Sequence, residues 1–234
     1  LFRRKLRYKN LFPNYVITSG NIGVEDSKKF FPNANVVSIP SIKIKWKKSL
    51  REINNNYVCF IDENINYSPD SKLLKQTFCN NVDDYYKNIN LLLDKIEDWF
   101  SIQIVICTKN ENNNIEKKNN FYENRTVISG KTLELIQHSN FIIGHGSLAI
   151  DQAIASKKHV LIINDKNLTN FKRRPWARYD YFLKNKRINS DEIIKRDIDN
   201  LLSSDLEYYD KYIEDYLKQR DVTENFAKII SNFI

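Results

Sequence analysis

Five short apolar runs, separated by stretches of helical or polar character, constrain this chain more than any other feature. They are Tyr57–Ile61 (YVCFI), Ile102–Cys107 (IQIVIC), Thr126–Ile128 (TVI), Phe141–Gly144 (FIIG) and His159–Ile163 (HVLII). Runs this short, rich in Ile and Val, read as strands covered on both faces rather than as buried helices. Between the first two, Tyr85, Ile89, Leu92, Leu93 and Ile96 recur at helical spacing and predict a helix over 83–99. Further helices are predicted over 131–138 and 147–156. Strands alternating with helices make a doubly wound, Rossmann-like parallel sheet, so the fold class is α/β. In such sheets ligands sit beyond the carboxyl ends of the strands.

The flanks read differently. Tyr15–Thr18, a helix over 24–31 and Asn35–Ile39 form a minimal strand–helix–strand unit. Residues 41–56, basic around Trp46 (Lys43, Lys45, Lys47, Lys48), read as a connection between two lobes. From Asp191 onward only helices are expected, over 191–203, 205–218 and 222–233. The expected regions are therefore 1–45, part of a first lobe; 46–204, the Rossmann-like lobe; and 205–234, helices packing across the lobes. The tyrosines of Tyr208–Tyr216 belong to core and interface in this reading.

With 234 residues a core burying roughly 70% of the unfolded surface needs no staples. No stretch approaches the roughly 18 charge-free apolar residues of a membrane-spanning helix. The three cysteines (Cys59, Cys79, Cys107) are odd in number and lack metal-ligand spacing, and the three histidines form no HxxxH pair. No metal or other cofactor is expected, and a reducing, cytoplasmic location is the default. The 30 asparagines, with many Lys and Ile, suggest an AT-rich coding bias, which lowers the functional weight of the Asn and Lys excess. A chain that opens on Leu1 and contains no Met reads as a portion of a longer frame.

The most informative stretch ends a strand in Gly144-His145-Gly146-Ser147 and starts a helix at once. Two glycines allow a tight turn and close approach of a ligand, Ser147 is a good N-cap, and free amides in the first helical turn favour a phosphate. His145 is expected at the rim, as a phosphate donor or an acid. The bland alternative is a strand–helix turn with a serine cap and a hydrogen-bonded histidine.

Taken with Gln152-Ala153 and Lys157-Lys158-His159-Val160-Leu161-Ile162-Ile163, this segment resembles the donor-nucleotide segment of GT-B glycosyltransferases. The order of Phe60-Ile61-Asp62-Glu63, Asp83-Asp84-Tyr85-Tyr86, Ile104–Cys107 and Ser129–Ile136 resembles bacterial surface-polysaccharide enzymes that use CMP-activated nonulosonic acids. The resemblance implies that Gly144, Gly146, Ser147 and Leu148 hold the donor, with Asp151 replacing the acid expected where Gln152 stands. Thr108-Lys109 occupies the place of the His-Pro pair of the sialyltransferase-type families, leaving Lys109 to neutralise a phosphate as a point charge.

Three further groups complete the candidate site. Gly130-Lys131-Thr132 lacks the spacing of a P-loop; Lys131 and Thr132 instead open a helix whose amides face a base or ribose. Asp62-Glu63, at a strand's carboxyl end, is the candidate base pair for an acceptor hydroxyl, with a solvated loop pair as the bland reading. Phe171–Arg178 is a basic loop around Trp176, in which Arg173 and Arg174 would hold a donor carboxylate or phosphate, or rest on anionic headgroups.

The leading expectation is a metal-independent, inverting glycosyltransferase of the GT-B type. Its donor is a nucleotide-sugar and its acceptor a glycan or glycolipid, with peripheral contact at an anionic inner membrane. A CDP-alcohol phosphotransferase, a UDP-sugar enzyme and a GT-B-like epimerase or non-catalytic lobe are alternatives. A nucleic-acid-binding protein is the distant alternative: the charge of +8 permits it, but the lysines are dispersed and no nucleic acid partner is expected.

Overall fold

The computed structural model describes residues 13–41, 56–63, 65, 75, 77–108, 121–169 and 188–218. By their contacts the residues group into two compact units, Leu1–Trp46 with Asp210–Ile234, and Lys47–Tyr209. Among the described residues no helix is long and apolar enough to cross a membrane.

The first unit contains β1 (Tyr15–Thr18), α1 (Gly20–Phe30) and β2 (Asn35–Ser38), the strands pairing in parallel. Thr18 meets α1 at Gly23, which leaves Tyr15 and Ile17, on the opposite pleat, exposed. Helix α1 starts at Gly20, four residues ahead of the predicted 24. Gly20 has φ +69° and lies against the backbone of Asp215 and Tyr216, where a Cβ would stand 2.4 Å from a carbonyl oxygen. Only glycine meets both demands. The segment it meets departs from the predicted 205–218 helix, being instead a π-helical turn over Ile213–Leu217. Its carbonyls turn outward: Tyr216 O accepts from Ser19 Oγ (3.3 Å) and Leu217 O from the Ser41 amide (2.7 Å). Such a wide turn frees carbonyls that a regular helix would use internally.

The second unit is built on six parallel strands: β3 (Tyr57–Ile61), β4 (Gln103–Thr108), β5 (Thr126–Ser129), β6 (Ile142–Gly144), β7 (Val160–Asn164) and β8 (Ile188–Asn189). Helices α2 (Val82–Phe100), α3 (Thr132–His138) and α4 (Ala149–Ala155) lie between strands, and α5 (Lys195–Ser203) and α6 (Tyr208–Tyr212) follow β8. The sheet order is β5-β4-β3-β6-β7-β8. The chain winds outward from β3 to β5, returns beside β3 as β6, and winds outward again to β8. This is the doubly wound order, and the fold is α/β as expected.

Right-handed crossovers place α2 on one face and α3 with α4 on the other. Alternation along β3 agrees. The Tyr57 hydroxyl donates to Leu135 O of α3 (2.9 Å), whereas the Phe60 ring meets Tyr122 and His145 on the α2 side. Helix α2 is long because Asn81 caps it (Asp84 N–H to Asn81 Oδ1, 3.2 Å) and Asp83 and Asp84 oppose its dipole. Its buried stripe of Tyr85, Tyr86, Ile89, Leu92, Leu93 and Ile96 is worth roughly 1.5–3 kcal/mol per side chain.

Two features were not predicted. The two-residue β8 is held to β7 by backbone pairing and by Asn164 Nδ2 donating to Asn189 Oδ1 (3.0 Å). Helix α5 starts at Lys195 rather than at 191, because Asp197 Oδ2 accepts from the Ile194 amide (3.0 Å) and fixes the start there. The predicted helix 222–233 and the basic segment 1–9 lie outside the described residues.

Candidate functional site

The winding direction reverses between β3 and β6, so the loops after these two strands face each other across the sheet's carboxyl end. Asp62-Glu63 follows β3 and Gly144-His145-Gly146-Ser147 closes β6. The two loops touch: Glu63 Oε1 accepts the Gly146 N–H. Asp62 is 5% exposed; its amide donates to Cys107 O (2.9 Å) and its Oδ2 accepts from Thr108 Oγ1 (3.4 Å). The pair therefore splits, Asp62 buried on the α2 side and Glu63 half-buried at the mouth.

His145 corrects the expected placement. It is 1% exposed, not at a rim. Its Nδ1 lies 3.0 Å from Ile163 O and its Nε2 2.8 Å from the Tyr85 hydroxyl. A carbonyl only accepts, so Nδ1 carries the proton; in the neutral ring Nε2 then accepts from Tyr85. Both nitrogens are engaged in joining α2 to β6 and β7, which leaves no proton for an acid's role at the surface. Burial came from a partner 60 residues away in sequence, which the local motif could not announce.

Neither Gly144 nor Gly146 has a left-handed φ. Packing at Gly144 is close: a Cβ there would lie 3.3 Å from Ile150 Cδ1 of α4 and 3.6 Å from Ile61 Cβ. Ser147 behaves as a cap through its hydroxyl, which accepts from the Ala149 amide (3.3 Å), although helical geometry begins one residue later than predicted. Leu148 is 61% exposed, an apolar side chain at the mouth. Asp151 is fully buried in α4, so it does not present a carboxylate at the mouth.

Thr132 lies at the start of α3, where its hydroxyl accepts from Cys107 Sγ (3.2 Å). Lys131 is exposed beside it. Both stand after β5, at the sheet's edge, rather than at the reversal between β3 and β6. Lys109, Arg173 and Arg174 lie outside the described residues, as does Trp176.

Three groups that the sequence reading passed over stand at the same end of the sheet. Asp165, directly after β7, is buried; Oδ2 accepts from Asn88 (2.9 Å) and Ser190 (2.8 Å), and Oδ1 from the amide and side chain of Asn167 (2.8 and 2.9 Å). Burial, then Tyr86, then the carboxylates of Asp62, Glu63 and Asp165 hold the Tyr85 phenol well above its ordinary pKa. Tyr122 is fully buried with no hydrogen-bond partner at normal distance. Asp62 lies close enough for its charge to add to burial in raising that phenol's pKa. Rings of Phe60, Tyr86 and Phe121 wall this side, Tyr86 stacking on Phe121 at 4.5 Å. The signal for Asp165 was present, since a carboxylate follows an apolar strand there just as Asp62 follows β3. Among the described residues no group of three or more His, Cys, Asp or Glu is placed to hold a metal ion.

No protein-family model matches the sequence, and no curated protein matches it. Among solved structures the chain is similar to YcaC from Pseudomonas aeruginosa with hexane-2,5-diol and covalent acrylamide (15% identity, TM-score 0.40, covering 80% of this chain and 99% of that one). It is similar to the glycotransferase of kitacinnamycin (12% identity, TM-score 0.41, 85% and 48%) and to TarM (14% identity, TM-score 0.40, 94% and 42%). The chain thus spans less than half of the last two. Likeness at this level carries no argument about ligand or reaction, and the fold rests on the strand order itself.

Proposed function

We propose that this chain binds a nucleotide-activated sugar and transfers the sugar to an acceptor hydroxyl. The observation that carries the reading is the meeting of two loops at the point where the strand order reverses. One offers a backbone amide and a serine hydroxyl; the other offers carboxylates. Ligands of doubly wound sheets sit at that reversal.

In this reading the donor phosphate takes the Gly146–Ser147 turn and a ring of the donor lies on exposed Leu148. The acceptor oxygen bonds to the sugar's anomeric carbon, the bond from that carbon to the phosphate oxygen breaks, and the nucleotide leaves with the electron pair. Glu63, the half-exposed member of the pair, accepts the acceptor's proton. Asp62 lies beneath, hydrogen-bonded to Thr108. His145 holds α2 against the sheet and takes no part in proton transfer. The donor we favour is a CMP-linked nonulosonic acid and the acceptor a surface glycan or glycolipid, with no metal required. Lys109, Arg173 and Arg174 would add positive charge to the donor side and to a membrane contact.

Calorimetric titration with CMP, CDP, UDP and GDP tests the reading, with Ser147→Ala and Leu148→Ala as site variants. Selective CMP binding that weakens in both variants is expected. Preference for CDP, UDP or GDP discards the nonulosonate donor while keeping the class. Silence toward all four rejects the donor-binding reading. Ser147→Ala also removes a helix cap, worth about 1 kcal/mol, so its folding is checked by thermal melting.

A further inference from the structure

We infer that Glu63 is an internal competitor for the anion seat of this site, parked on the Gly146 amide until a ligand phosphate displaces it. The inference rests on the nucleotide-binding reading above and adds to it a regulation of the same site. A backbone N–H that closes the β6 turn has one hydrogen to give, and here a carboxylate oxygen of the chain itself receives it. A carboxylate is chemically the closest side-chain counterpart of a phosphate oxygen: anionic, acceptor-only, and strengthened by a directed amide. The contact joins the β3 and β6 loops at the point of reversal, so it occupies the crevice where a ligand of such a sheet would lie.

Glu63 is half-buried, at the mouth, whereas its neighbour Asp62 is buried beneath it, its carboxylate accepting from Thr108. The negative surroundings also favour release once a second anion arrives. Glu63, Asp62 and Asp165 all act on the Tyr85 phenol, so three carboxylates share this end of the sheet. A phosphate arriving at Gly146 cannot share the hydrogen with Glu63, and the two like charges repel. Displacement frees the Glu63 carboxylate beside the bound donor, which links donor binding to release of the proposed base. A site whose competent state is only fractionally populated binds its ligand more weakly by that fraction.

The test compares wild type, Glu63→Gln and Glu63→Ala by calorimetry, using CMP, cytidine and inorganic pyrophosphate. Glu63→Ala is expected to tighten CMP and pyrophosphate binding by about fivefold or more, and Glu63→Gln, which keeps the shape without the charge, by an intermediate factor. Cytidine, which lacks phosphate, should bind all three proteins within about twofold. If wild type binds CMP and Glu63→Ala binds it equally or more weakly, the competitor role is overturned and nucleotide binding stands. If no protein of the three binds CMP or pyrophosphate, the donor-site reading itself falls, and the inference with it. Glu63→Gln is the near-isosteric variant that keeps the comparison valid should the alanine protein fold poorly.

Discussion

Replacing Tyr85 by Phe separates a structural histidine from a catalytic one. The variant keeps the ring that packs against Tyr86 at 5.0 Å and His145 at 5.7 Å, and removes only the hydroxyl that gives Nε2 its hydrogen at 2.8 Å. Both partners are buried, so water does not readily replace the lost bond. Withdrawing one partner from a buried polar group costs about 1–3 kcal/mol. Taking about 2 kcal/mol and an m-value of about 2–3 kcal/mol/M in urea, the midpoint should fall by roughly 0.7–1 M at unchanged slope. In heat the same loss is about 4–8 °C for a chain of this size. Nitrogen-detected NMR of the imidazole should show hydrogen on Nδ1 and none on Nε2 in the wild type. Nucleotide affinity should stay within about twofold, because His145 faces α2 rather than the mouth. A variant as stable as wild type would refute the buried bond. A tenfold loss of nucleotide binding at unchanged stability would refute the structural role and return His145 to the site's chemistry.

Two further outcomes follow from the packing around α2 and the buried tyrosines. Arg125 anchors the start of β5 to α2, its Nε and Nη2 donating to Glu97 Oε2 (3.0 and 2.8 Å), Nη1 to Asn90 Oδ1 (3.2 Å), and Nη2 also to Asp94. Because Asp94 is half in solvent its arm counts for little, and Arg125→Ala should cost about 2 kcal/mol in urea unfolding, with Arg125→Lys recovering part; a loss below about 0.5 kcal/mol would contradict a buried anchor. Tyr57, Tyr85, Tyr122 and Tyr209 have phenols pushed far above the ordinary value near 10, burial being the largest cause in each. The folded chain holds these protons while the unfolded chain releases them, so stability is intact below pH ~10 and falls as pH rises past it. Phenolate absorbance should show at least these four tyrosines ionising only as the protein unfolds, and a fully reversible titration of all 13 near pH 10 in folded protein would contradict the burial.

The sheet was legible because β3, β6 and β7 are buried on both faces and so spell themselves as apolar runs, and α2 because its buried stripe repeats over about three turns. β8 was not, since two residues carry no periodicity and Ile188–Asn189 pair only because β7 offers an open edge. Gly144 reads in the sequence as room for a tight turn and a close ligand; that it also lies against Ile150 and Ile61 is packing that local sequence does not announce. The fate of His145 depended on Tyr85, and the fate of Glu63 on Gly146, pairings separated by 60 and 83 positions. Tertiary pairings of this kind decide which polar group faces a ligand and which holds the scaffold.

The distribution of charge sharpens what the described site does alone. The chain carries +8 overall, and at the reversal point neutral groups donate to the carboxylates: Asn88, Ser190 and Asn167 to Asp165, Thr108 to Asp62, and the Gly146 amide to Glu63. In the proposed reaction the dipoles of the β6 turn orient a phosphate once Glu63 withdraws. They do not supply the positive charge that a leaving nucleotide needs as its bond to sugar lengthens. In the proposed reaction Lys109, Arg173 or Arg174 would supply that charge, while Gly146 and Ser147 set position. Binding and leaving-group stabilisation are then carried by different segments of the chain, so loss of the basic residues should slow transfer more than it weakens nucleotide binding.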